Sequence, residues 1–231
     1  MRHKLHTACG LALFAVLAAD LVLELTPGVE MGALPKLAFA AAFALFWTLF
    51  CLPMRGPRRR RRWLTVLFLY YLWLLLNVLF FDGVFGRSAG ARPRYSPGEL
   101  YELFRVGGVA DGVSMIPLRT IRNYLTAHAL GNISRELVVL NLGGNLAAFA
   151  PMGFFLPALY RRQRNFLVFL LTVGLSVVAV EVIQAATGCG SADLDDLILN
   201  LAGAAAAWLA LLPLTGRLYR TGISNKEGTL P

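Results

Sequence analysis

Cysteine, histidine and acid are scarce in this chain, and each shortage closes off a class of function. Cys9, Cys51 and Cys189 lie far apart with no metal-type spacing, so neither a disulfide framework nor a cysteine-ligated zinc site is expected. The 3 histidines form no dedicated ligand set, and His128 reads as a surface residue. Acids number 13 against 22 lysines and arginines, a net charge of +9. In a soluble protein that excess would suggest nucleic acid. Here the basic residues sit mostly between apolar blocks, where they set membrane orientation, and no nucleic-acid partner is expected. No internal repeat is evident.

What the chain does have is long apolar runs. Hydrophobic residues make up 57% and the mean hydropathy is +0.62, whereas soluble domains are roughly 45–50% apolar. A helical span needs about 20 mostly apolar residues. Six stretches qualify: 8–26, 36–54, 63–85, 137–160, 165–187 and 196–215. The expected fold class is all-α: a polytopic integral membrane helical bundle of about six transmembrane helices. The first block opens like a leader, with "MRHK" before apolar residues. Asp20 and Glu24 interrupt its cleavage region, however, so a retained span is expected.

The basic residues orient these spans in the cell membrane. They cluster at Arg2 and Lys4, at Arg55 and Arg58 to Arg62, at Arg161, Arg162 and Arg164, and at Arg217, Arg220 and Lys226. With six spans all four places lie on one side, so both termini are expected in the cytoplasm. The chain then divides into an N-terminal three-span part (1–86), an extracytoplasmic loop (87–136), a three-span core (137–216) and a cytoplasmic tail (217–231) whose last dozen residues read as disordered. The connection near 27–35 is short. The long loop carries "SPGELYELFRV", which reads as a short helix with Ser96 as cap and Pro97 in its first turn. Residues 112–130 are too short and polar to span, and an interfacial or re-entrant helix fits them better.

Polar residues inside the outer halves of the last three spans fall at matching depth. A helix rises about 1.5 Å per residue, which puts Asn141 and Asn145 about 6 and 12 Å below the outer end of span four, on one face at i, i+4. By the same count Glu181 and Gln184 lie about 9 and 5 Å below the end of span five, and Asn200 about 6 Å into span six. Asp193, Asp195 and Asp196 stand directly above. Asparagine and glutamine often glue helices together. An ionisable residue such as Glu181 inside a span more often marks function. Capping of span six explains one of the three aspartates but not all of them. Crowded carboxylates need a cation. The candidates are a divalent ion held by Asp193, Asp195 and Asp196, the guanidinium of Arg119, Arg122 or Arg135, or a positively charged ligand group. Small residues in "NLGGN" and "LAGAAAA" allow close helix packing, and Pro151 should kink span four.

These same segments carry a resemblance. "SMIPLRTI", "ELVVLNLGGNLAAFAPMGFFLP" and "SVVAVEVIQAATGCGSADLDDLILNLAGA" resemble the VanZ-like family of small bacterial membrane proteins. That family's Asn-x-x-Gly-Asn segment, Pro-x-Gly-Phe turn, Glu-x-x-Gln pair and Asp-x-Asp-Asp run leading to Asn-x-x-Gly occur here in order. The resemblance covers residues 114–212. It implies a cell-envelope location and an association with low-level resistance to teicoplanin-type glycopeptide antibiotics, but no reaction. The motif residues carry over to Asn141, Asn145, Glu181, Gln184, Asp193, Asp195, Asp196 and Asn200. Many relatives carry an arginine where this chain has Cys189–Gly190, so a loop arginine or an ion would take its place.

The expected function is a cell-envelope membrane protein with an outward-facing acidic polar pocket. That pocket would bind or modify a cell-surface component, such as a lipid-linked or cell-wall ligand or a lipoglycopeptide. A metal-assisted membrane enzyme is the alternative, with a divalent cation as cofactor, Glu181, Asp195 and Asp196 as candidate catalytic residues, and a phosphate-bearing envelope precursor as substrate. A structural bundle with an indirect phenotype is the other.

Overall fold

The computed structural model describes residues 2–26, 33–51, 57–80 and 92–223. The connection near 27–32, Arg55, the start of the long loop through residue 91 and the last residues 224–231, with Lys226, lie outside these. The described chain is almost wholly helical, and it separates into two compact units.

The first unit holds α1 (Arg2–Leu25), α2 (Ala33–Cys51) and α3 (Pro57–Phe80) up to Val78. Its core is Leu13, Phe43 and Tyr70, wrapped by Val16, Ala40, Phe46, Trp47 and Leu74. The Phe43 and Tyr70 rings stack with centroids 3.9 Å apart. Trp47 satisfies its indole N–H on the Trp63 carbonyl at 3.0 Å. Asp20, which breaks the apolar pattern of α1, is buried and accepts the Tyr70 hydroxyl at 3.3 Å. A polar group in an apolar helix is tolerable once it is hydrogen-bonded in this way.

The second unit, residues 79–81 and 86–216, contains α4 (Pro97–Val106), α5 (Arg119–Ala129), a broken helix over Arg135–Leu159, α9 (Phe166–Thr187) and most of α10 (Leu194–Ile223). Among the described residues, four helical stretches are long and apolar enough to cross a membrane: Arg61–Phe80, Arg135–Leu159, Phe166–Thr187 and Leu194–Gly216. The apolar stretches described within α1 and α2, Thr7–Asp20 and Ala38–Phe50, are shorter than a span. Large residues such as Leu167, Leu171 and Leu175 on α9 are exposed, as expected of a helix facing lipid rather than water.

The helix over Arg135–Leu159 is interrupted twice. After α6 (Arg135–Val138) the backbone makes a π-helical turn over Val139–Gly143 and then resumes as α7 (Gly144–Ala148). The turn ends at paired glycines, which are the poorest helix formers short of proline. A tight turn at Phe149–Pro151 follows, where Pro151 cannot continue the hydrogen-bond ladder, and α8 (Met152–Leu159) begins.

The long connection is an ordered strap over residues 92–130. Ser96 caps α4 in a reciprocal pair with Glu99, whose carboxyl these bonds hold below its usual range. A hairpin follows that sequence reading does not anticipate: β1 (Val109–Ala110) turns at Asp111–Gly112 and pairs antiparallel with β2 (Val113–Ser114). Gly112 sits at φ 72°, a left-handed value that glycine adopts without steric cost at the second central position of a turn. β2 in turn pairs parallel with β3 (Ala192–Asp193), with Ser114 opposite Asp193. Leu100, Val113, Ala185 and Ala192 form the small core beneath. Further back, the Arg92 and Tyr95 N–H groups bond the Gly188 and Ala185 carbonyls at 3.1 and 3.0 Å. The strap thereby takes up carbonyls that the end of α9 leaves open.

Candidate functional site

The site is built where the strap meets the segment between α9 and α10. Its three aspartates have three different partners. Asp193 accepts the Asp195 N–H at 2.9 Å and so caps α10. Its other oxygen accepts the Thr120 hydroxyl at 2.5 Å. Its own N–H donates to Glu181 Oε2 on α9 at 3.1 Å.

Asp195 is fully buried and turns the other way. Its two oxygens accept the backbone N–H groups of Leu118 and Ile121, at 2.5 and 2.9 Å. Those donors open α5, a helix whose N-cap residue, Leu118, has no side-chain oxygen of its own. Asp195 therefore caps a helix 77 residues away in sequence. It also holds Leu118 at φ 61°, a left-handed conformation that costs a leucine about 1–2 kcal/mol.

Asp196 accepts the side-chain amide of Asn145 from α7. Its carbonyl accepts the amide of Asn200 one turn on, at 2.7 Å. Asn200 is buried and its Oδ1 has no hydrogen-bond partner, and the same holds for the hydroxyl oxygen of Ser114.

Glu181, Asn145, Asn200 and the three aspartates are thus joined through Asp193, Asp195 and Asp196. Two motif residues are not. Gln184 is buried and donates to the Leu79 carbonyl at 2.6 Å, satisfying the end of α3. Asn141 donates to Leu137 of its own helix at 2.9 Å. The i, i+4 face expected for Asn141 and Asn145 assumes α-helical spacing, and the π-helical turn between them breaks that spacing.

Asp193 caps α10 and shares the start of α5 with Asp195, while Asp196 turns to α7, and among the described residues no group of three or more His, Cys, Asp or Glu side chains is arranged to hold a metal ion. Arg119, Arg122 and Arg135 are exposed and make no ion pair with these carboxylates. Of the three, only the Arg119 charge reaches Asp193. The negative groups are met by N–H, hydroxyl and amide donors instead. Thr120, Ser114 and the opening N–H groups of α5 belong to the site and were not foreseen. The hydroxyls carry no depth signal, and backbone donors carry no sequence signal at all.

Burial pushes the Asp193 carboxyl above the ordinary aspartate value of 3.8, against the pull of Thr120 and the Asp195 N–H. A carboxyl raised in the folded state contributes stability that is complete below 3.8 and is lost as pH rises through the folded value. The melting-temperature difference between Asp193→Asn and wild type should therefore shift in the variant's favour as pH rises from that point. Thermal unfolding in detergent across pH measures it, and a difference that does not change with pH would contradict this assignment.

Apolar helices with a polar corner tied down by an ordered strap define a helical membrane protein. A family model described as VanZ/LLP1 matches residues 68–215, well over half of the chain, and the chain belongs to that family. Comparison with curated proteins and with solved structures gave no match.

Proposed function

We propose that this VanZ/LLP1 protein crosses the membrane six times with both termini in the cytoplasm, and that its outward-facing polar layer binds a cell-surface component. The component is a lipid-linked or cell-wall molecule or a lipoglycopeptide, and binding lowers susceptibility to teicoplanin-type antibiotics. The unpartnered buried oxygen of Asn200 beside the Asn145–Asp196 contact carries this reading. A buried amide oxygen without a donor is costly, and a ligand hydroxyl or N–H supplies one. Binding is favoured over turnover, because each aspartate is already engaged, Asp193 and Asp195 by donors at the start of α5 and Asp196 by Asn145 of α7.

The test is teicoplanin susceptibility of host cells carrying wild type, Asn200→Ala or Asp196→Ala at matched membrane abundance. Wild type should raise the inhibitory concentration several-fold over empty vector, and both variants should lose that gain. Variants as protective as wild type would remove the polar layer from the reading. No protection by wild type would remove the resistance role altogether.

A further inference from the structure

We propose that α5 lies in the membrane surface and that Arg119 and Arg122 on its outward side hold the phosphate of an anionic lipid headgroup. The placement follows from how the helix is tethered. Its first N–H groups are fixed to Asp195, the second residue of the membrane-length stretch Leu194–Gly216. Five residues separate its last residue, Ala129, from Arg135, where the stretch Arg135–Leu159 begins. An 11-residue helix is about 16 Å long. Tied at both ends to points where two membrane helices start, it has no freedom to rise far from that plane.

The side chains fit the same place. Thr120, Ile121, Tyr124 and Ala127 are half-buried and face the protein. Arg119 and Arg122, three residues apart, share the opposite side and are exposed. Around them Leu118, Leu125 and Leu130 are 57%, 53% and 70% exposed. Such a mixture suits a helix whose leucines enter the acyl boundary while its arginine stems reach back to the phosphates. The arginines are available because neighbouring acids are otherwise engaged. Asp193 and Asp195 at the start of α5 take Thr120 and backbone N–H groups, and Glu136 beyond its end is bonded to its own helix start. The Arg119 charge reaches Asp193, but the Asp193 oxygens are taken by Thr120 and the Asp195 N–H, and two exposed guanidinium groups are suited to bidentate contact with phosphate. The exposed leucines favour a lipid over free phosphate as its source. This assignment does not depend on what the polar layer binds.

The experiment is hydrogen exchange by mass spectrometry on the full chain in phosphatidylcholine nanodiscs, with and without phosphatidylglycerol. Phosphatidylglycerol should slow exchange of the α5 amides by about fivefold or more, given the attraction of basic residues to an anionic surface. The Arg119→Gln/Arg122→Gln variant should lose that slowing while α9 exchanges as in wild type, which shows the fold is kept. Equal exchange with and without phosphatidylglycerol in wild type would overturn the proposal, as would unchanged slowing in the variant. Slowing of the same size by inorganic phosphate in phosphatidylcholine discs would also overturn it, in favour of a free-anion site.

Discussion

Asp195→Ala should lower the melting temperature of the detergent-solubilised protein by on the order of 10 °C, the largest drop of any substitution in the acidic segment. Two part-buried backbone N–H groups, those of Leu118 and Ile121, would lose their carboxylate acceptor together. Hydrogen bonds to charged groups contribute about 1.5–3 kcal/mol each. For a chain of this size each kcal/mol moves the midpoint by roughly 2–4 °C. The left-handed Leu118 would also lose the contact that holds it. Asp195→Asn should fall between, since it keeps one acceptor. Asp196→Asn should shift the midpoint by no more than about 2 °C, because an amide oxygen still accepts from Asn145. Equal effects at 195 and 196 would sink the distinction between an anchoring aspartate and one that lines the polar layer.

That distinction marks where sequence reasoning stops. The long apolar helices are legible because a run of some 20 apolar residues has few other uses. Depth along those helices also picks out Glu181, Asn145, Asn200 and the aspartates, which the structure joins in one network. Depth cannot say which way a side chain turns. Gln184 lies at the same level yet reaches the Leu79 carbonyl, and Asn141 stays on its own helix. The partners of Asp195 are backbone groups, identical at every residue, so no residue type announces them. The β1–β2 hairpin was within reach, since Asp111–Gly112 is a strong turn pair. Its strands are two residues each, too short to show any alternation. The pairing with β3 joins residues some eighty apart, which local pattern does not encode.

Gly203→Val should be the most damaging single change in the helical core, leaving little folded protein on size exclusion in detergent. A Cβ at 203 would collide with the carbonyl oxygen of Leu146, a backbone atom of α7 that has no rotamer to escape into. One crossing further on, a Cβ at Gly153 would lie 2.5 Å from the Trp208 N and 2.7 Å from the Ala204 O. The two glycines thus let α10 touch the backbones of α7 and α8, as small residues do in membrane helix pairs. Overpacking commonly costs about 1–3 kcal/mol, and more where only backbone can move. Gly144→Ala is the control: nothing lies within 4 Å of its would-be side chain. That variant should be neutral or gain up to about 1 kcal/mol from helix propensity. Leu146 adjoins Asn145, and Gly203 lies one turn below Asn200, so prying this crossing apart also separates Asn145 from Asp196. The hold of Asp195 on α5 does not run through the crossing. Any Gly203→Val protein that can be recovered should therefore keep slow amide exchange at the start of α5 while losing the polar layer, whereas Asp195→Ala should do the reverse.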